Sequence, residues 1–167
     1  MKIVKYISFL LVTTFICGCG PYSFTGVQNL KADTFQVNYF QNNAILIEPG
    51  FDRDFKLALE ALITNQTSLS ITTTNGDLVY EGEITTYRIS PTTAQANNTA
   101  AQNRLSVTVN VRFFDKNMPD EDFEQQFSHF FDYPGDQLLQ GAQQDAAHEA
   151  IFERITQDIF NATLAKW

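Results

Sequence analysis

The sequence predicts an α/β fold of the α+β kind, a two-layer sandwich. A mixed sheet of four to five strands carries two helices on one face, in the order β-α-β-β-β-β-α. Three observations lead there. Between Phe51 and Gln66 the apolar residues Phe51, Phe55, Ala58, Leu59, Leu62 and Ile63 fall on one stripe of a 3.6-residue helix. Between Arg104 and Phe114, Leu105, Val107, Val109, Val111 and Phe113 alternate with Ser106, Thr108, Asn110 and Arg112, the period of a strand wet on one side. The segment Asp136–Trp167 returns to helical spacing, with His148, Ile151, Phe152, Ile155, Ile159 and Ala162 on one face.

The other elements fit between these. Thr34–Phe40 alternates Phe35, Val37 and Tyr39 with Gln36 and Asn38, a half-buried strand. Glu48-Pro49-Gly50 then punctuates a helix start, and Asp52 and Asp54 complement the helix dipole in the first turn. Leu69–Thr74 alternates apolar and hydroxyl residues. Asn75-Gly76, which favours the positive φ angles of a tight hairpin, is expected to turn it back into a strand over Leu78–Ile89. In that strand the apolar register moves from Leu78, Tyr80 and Ile84 to Tyr87 and Ile89, so a bulge is expected at Gly82 or at Thr85–Thr86.

Ser90–Asn103 reads as an uncharged fourteen-residue loop, either a hairpin tip or a contact surface. Phe123–Tyr133 fits both periods, but its aromatic content and the turn before it favour a strand. Pro134-Gly135 ends it. Phe160, Leu164 and Trp167 form a second stripe on the last helix, suited to packing against the tether or to a docking edge. The strand–helix–strand unit implies a parallel pair, and the later hairpins extend the sheet antiparallel. Its uncovered face is expected to show Ser70, Thr72, Ser106, Thr108 and Asn110.

The N-terminus addresses the chain. Lys2 and Lys5 precede an eleven-residue apolar run, Tyr6–Ile16, and then Cys17-Gly18-Cys19. A basic start, a short apolar run and a small residue at the cut describe a secretory signal peptide, and the run is too short to span a membrane. With Ile16 three positions before the cysteine and Gly18 just before it, this looks like a bacterial lipobox with Cys19 as the acylated residue. Ordinary cleavage leaving a free thiol is the plainer alternative. Residues 1–18 are thus expected to be the lipoprotein signal peptide, 19–33 a lipidated tether and 34–167 one domain. Gly20 is not the aspartate that holds lipoproteins in the inner membrane, so the periplasmic side of the outer membrane is expected.

Composition bounds the function. The chain has 11 basic and 19 acidic residues, and loss of Lys2 and Lys5 takes the net charge from −8 to 9 − 19 = −10. That excludes the basic footprint of a nucleic-acid binder. Cys17 leaves with the signal, so no disulfide is available and the core must carry the fold; of the chain's fifteen phenylalanines, all but Phe9 and Phe15 remain to make this feasible. No nucleophile motif or phosphate-binding glycine loop is present, and His129 and His148 lie on different elements, so neither an enzyme, a metal site nor any other cofactor is expected. Asp120-Glu121-Asp122 with Glu124 reads as a solvated turn.

At Ser128-His129-Phe130-Phe131-Asp132-Tyr133-Pro134 the chain resembles the LptE family, the lipoprotein subunit of the outer-membrane lipopolysaccharide translocon. Ser128, Phe130, Phe131, Asp132 and Pro134 carry its Ser-x-Phe-Phe-Asp-x-Pro run, which closes the last strand and opens the C-terminal helix in that family. Cys19-Gly20, Tyr22-Ser23-Phe24 and Gly82-Glu83-Ile84 are similar as well.

The resemblance implies an LptD-type outer-membrane β-barrel as partner, with this domain seated in its lumen, and lipopolysaccharide as a ligand met by basic residues. The family's basic loop position has no counterpart before Arg104, and Gln140 stands near the helix start. Arg88, Arg104 and Arg112 are therefore the contact candidates, with Thr108 and Asn110 beside them on the sheet. A periplasmic lipid-binding lipoprotein without a barrel, using a groove between helices and sheet, is the competing expectation. Replacement of Cys19 by alanine is expected to abolish metabolic labelling with palmitate; labelling that persists would move the anchor elsewhere.

Overall fold

The computed structural model describes residues 31–92 and 102–165. The signal peptide, Cys19, most of the tether and Trp167 lie outside the described residues. Five strands, β1 (Thr34–Asn42), β2 (Ser70–Ile71), β3 (Leu78–Thr92), β4 (Gln102–Asp115) and β5 (Phe123–Pro134), form one mixed sheet in the order β2-β1-β3-β4-β5. Two helices, α1 (Phe51–Gln66) and α2 (Ala142–Thr163), pack on each other and on the same side of the sheet, α1 over β1 and α2 over β4 and β5. One 3-10 turn, Pro119–Glu121, joins β4 to β5. The expected fold class and element order are observed.

The core lies between the layers and follows the alternation. Leu105, Val107, Val109, Val111 and Phe113 of β4 are all buried, as are Phe35 and Val37 of β1. An irregularity between Val37 and Phe40 then turns Phe40 inward and leaves Tyr39, expected on the buried side, 64% exposed. Phe51, Phe55, Leu59 and Ile63 bring the stripe of α1 onto them. Phe40 meets Phe55 edge-on at 5.1 Å between ring centroids, the geometry that aromatic quadrupoles favour. Tyr80, wholly buried, donates its hydroxyl proton to Thr163 Oγ1 at 3.1 Å, so its polar end is satisfied. Phe160 and Leu164, the expected second stripe, are buried in this same core and form no docking edge.

Three expectations are corrected. Asn75-Gly76 does not close a hairpin. β2 shrinks to two exposed residues and pairs parallel to the outer side of β1, while β3 pairs parallel to its inner side. The chain from β2 therefore passes over the start of β1, where reciprocal hydrogen bonds hold it. Asp77 Oδ2 accepts from Thr34 N and Thr34 Oγ1 at 3.0 and 2.8 Å, and Asp77 N donates to Thr34 Oγ1 at 3.0 Å. These bonds hold the Asp77 carboxyl below its usual pKa. Gly76 lies so close to β1 that a Cβ there would come within 2.8 Å of Gln36 Cβ. The physical reason for the order is burial: Leu78, Tyr80 and Ile84 need the helix-covered centre of the sheet, which the hydroxyl-rich Leu69–Thr74 stretch cannot fill.

Second, Ser90–Thr92 and Gln102–Asn103 are paired strand rather than loop, through Ser90↔Arg104, Pro91↔Asn103 and Thr92↔Gln102. Cross-strand pairing there overrides the Pro91 signal. Third, the last helix begins at Ala142, not near Asp136, because Pro134 and Gly141 (φ 57°) frame a turn first. The β3 bulge falls at Thr85, where the register with β4 shifts between Ile84 and Thr86, one of the two places expected.

Gly82 of β3 lies between Phe40 of β1 and Val111 of β4. A Cβ there would lie 2.0 Å from the Asn110 carbonyl oxygen and 2.9 Å from the Phe40 ring. Neither neighbour can retreat without breaking the ladder or the core. Gly82→Ala is expected to cost about 2–4 kcal/mol by overpacking, measured as a drop in the urea midpoint; a midpoint within experimental error of the parent would contradict this packing.

Candidate functional site

Helices cover one side of the sheet and leave the other side open. Cross-strand register sets its contents row by row. Glu81, Arg112 and Glu124 share one row; Glu83, Asn110 and Gln126 the next; then Thr86, Thr108 and Ser128; then Arg88, Ser106 and Phe130; then Ser90, Arg104 and Asp132. Every residue named as a contact candidate from the sequence therefore lies on this one face. Ser70 and Thr72, expected there too, sit instead at the short β2 edge and in the segment after it.

The face is knit by charge and hydrogen bonds. Arg112 Nε donates to Glu81 Oε1 at 3.2 Å, and its Nη1 lies 3.8 Å from Glu83 Oε1. Asn110 is 8% exposed, and its Nδ2 donates to Glu83 Oε1 at 3.2 Å and Glu124 Oε1 at 2.6 Å. Thr108 Oγ1 and Ser128 Oγ share a hydrogen bond of 3.0 Å. Arg104 grips Asp132 in bidentate fashion, both bonds 2.7 Å, and its guanidinium lies 3.7 Å from the Phe130 ring centroid. The ion pair raises the Arg104 pKa and lowers that of Asp132. Both side chains are about one-third exposed, so solvent screens the pair and its main effect is to fix geometry rather than to add stability.

The family-motif residues divide between the faces. Ser128, Phe130 and Asp132 line the open face, with Phe130 45% exposed. Phe131 points inward and packs on the core. Pro134 ends β5, and its carbonyl accepts from Gln137 N at 3.1 Å to start the turn toward α2. Thus the run closes the strand, while α2 opens eight residues beyond Pro134, at Ala142.

At the end of the face near Arg88 lies a cleft of about 690 Å³. Ile45 and Leu46 of the β1–α1 connection form one wall, and Thr86, Arg88, Ile89 and Ser106 form the other. Sequence reasoning treated Ile45, Leu46 and Ile47 as a plain connection, yet all three are exposed. The signal was there: three consecutive aliphatics in a nine-residue stretch, Asn42–Gly50, that has no period of its own.

Away from this face, His148 sits among Phe51, Phe152 and Tyr87, and its Nε2 shares a hydrogen bond of 2.9 Å with the Tyr87 hydroxyl. Burial pushes the Tyr87 pKa up to about 12, so this hydroxyl keeps its proton; which partner donates follows the tautomer of the ring. Burial lowers the His148 pKa, against the opposing pull of Glu48, Asp145 and Asp54. Among the described residues no three His, Cys, Asp or Glu side chains are placed to share a metal ion.

The fold and this face define a class: a two-layer α+β sandwich presenting a broad polar sheet surface. The chain belongs to the LptE lipopolysaccharide-assembly family, whose model matches residues 32–163, and that family is one of non-catalytic lipoproteins. No curated protein matches the chain in sequence. Among solved structures, the PelC dodecamer from Paraburkholderia phytofirmans is 10% identical with a TM-score of 0.51, over 83% of this chain and 95% of that one. A minor lipoprotein from Acinetobacter baumannii is 13% identical with a TM-score of 0.49, over 80% and 92%. The rare lipoprotein B from Shewanella oneidensis is 12% identical with a TM-score of 0.44, over 76% and 89%. At such identity, the likeness to PelC speaks for the fold alone. No helix among the described residues is long and apolar enough to cross a membrane.

His148 has a consequence for stability. A histidine whose folded pKa is depressed binds fewer protons folded than unfolded, so stability is full above the unfolded pKa of about 6.5 and is lost as pH falls through that value toward the folded pKa. The melting temperature is expected to fall between pH 7.5 and 5.5, and His148→Gln is expected to flatten that slope. An unchanged slope in the variant would assign the pH dependence to other groups.

Proposed function

We propose that this chain is an outer-membrane lipoprotein, held by Cys19 on the periplasmic side, that plugs and helps assemble an LptD-type β-barrel in the transport of lipopolysaccharide to the cell surface. The observation that carries the reading is the family match over residues 32–163, nearly the whole domain. Residues 1–18 would be the signal peptide, 19–33 the tether and 34–167 the plug. The open sheet face supports the assignment physically. A barrel lumen is polar and is readily filled by a domain whose surface satisfies its own charges. The Glu81–Arg112–Glu83 and Arg104–Asp132 pairs do this over much of the face, which lowers the cost of leaving bulk water; Arg88 stays outside these pairs.

In this reading Thr108 and Asn110 belong to the surface against the barrel. Arg104 and Arg112 are occupied by carboxylates, which leaves Arg88 as the residue best placed to meet a phosphate of lipopolysaccharide. The competing reading, a lipid-binding lipoprotein without a barrel, has less support: the space between helices and sheet is filled by the core.

Affinity purification of the tagged full-length lipoprotein from detergent-extracted outer membranes is expected to bring down an intact heat-modifiable β-barrel in stoichiometric amount. A clean monomer, together with normal surface lipopolysaccharide after depletion, would sink the proposal.

A further inference from the structure

β1 and β3 run side by side only as far as Asn42↔Ile84, where the Asn43 amide still reaches the Ile84 carbonyl at 2.9 Å. β3 continues to Thr92, paired on its other side with β4. Among the described residues, nothing pairs with the outer edge of β3 from Thr86 to Thr92. Seven residues at about 3.3 Å each make an edge of about 23 Å. An internal strand thus becomes an edge strand partway along, which leaves a row of backbone donors and acceptors open.

Four features converge on that edge. The cleft of about 690 Å³ runs beside it. Its far wall is aliphatic, Ile45 and Leu46, and Ile89 is exposed on the near wall. Asn42 Nδ2, at the point where β1 leaves β3, is buried with no acceptor. Arg88, on the cleft wall, has no carboxylate partner among the described residues, whereas Arg104 has one and Arg112 two. An unpaired cation in a chain of net charge −8 is the local exception that selects an anionic partner.

We infer that this edge is a β-augmentation site, taken by an extended segment of the barrel partner that carries an acidic residue opposite Arg88 and aliphatic residues toward Ile45 and Leu46. The inference rests on the reading above and names the place of contact. A peptide strand fits where a lipid does not, because only a backbone supplies alternating donors and acceptors along the whole edge. Residues 19–30 of the chain itself carry no Asp or Glu to meet Arg88. A second copy pairing symmetrically about residue 88 through the same edge would set Arg88 against Arg88, a like-charge cross-strand pair.

The test uses the copurified complex and the isolated mature chain. Exchange of the outward-pointing amides within residues 86–92, Pro91 having none, is expected to slow by about 100-fold or more in the complex, as for amides brought into a stable ladder. A photo-crosslinking residue introduced at Ser90 is expected to capture a barrel peptide, and Arg88→Glu to lower that yield by about tenfold. Arg154→Glu, an exposed position on α2, is expected to leave the yield unchanged. If the barrel copurifies but residues 86–92 exchange as in the isolated chain, the edge is overturned while the complex stands. A preparation without the barrel overturns the complex itself. Capture of lipid alone, of residues 19–30 or of a second copy would falsify the proposed occupant.

Discussion

The architecture depends on one constraint: β4 must be dry on one side and wet on the other along its whole length. Its odd-numbered residues from Leu105 to Phe113 are buried, and the even-numbered ones between them are polar. A slip of one residue would put Arg112 and Thr108 into the core and five large apolar side chains into water. That cost locks the register with β3 and β5, and the two ladders on β4 hold the sheet together. The helices are placed by the same rule, since each has an apolar stripe that only the dry face can cover.

The wet face is not simply solvated. Its charges are closed into local pairs, and Asn110 is nearly buried between two glutamates although it lies on the open side. Such a surface loses little when it moves from water into a polar lumen, because the ionic groups already have partners. It also buffers the net negative charge: the carboxylates on this face are mostly spent on Arg104, Arg112 and Asn110. Arg88 stands outside this closure, next to the aliphatic Ile45–Leu46 wall.

Edges tell a second story. Natural sheets usually blunt a free edge with proline, lysine, a bulge or a covering loop. β3 has the Thr85 bulge at the start of its open stretch and Pro91 near its end, so pairing is confined to the residues between. The β1–α1 connection passes nearby without sealing the gap, which is why a cleft exists there.

The sequence by itself determined the periodic elements. α1 runs over Phe51–Gln66 as its spacing required, β4 and β5 lie where alternation and aromatic content put them, and the bulge fell at one of two expected places. Periodicity reports which face of an element is buried, and that is a local property. It carries no information about which element lies alongside. Hence only the tertiary structure decided that β3 lies beside β1 instead of folding back on β2, since that choice follows from competition for the helix-covered centre and from the Thr34–Asp77 bonds, 43 residues apart in the chain. The same holds for the site. The arginines and hydroxyls of the open face were legible one by one, but their pairing across three strands, the isolation of Arg88 and the open edge of β3 exist only once the register is set.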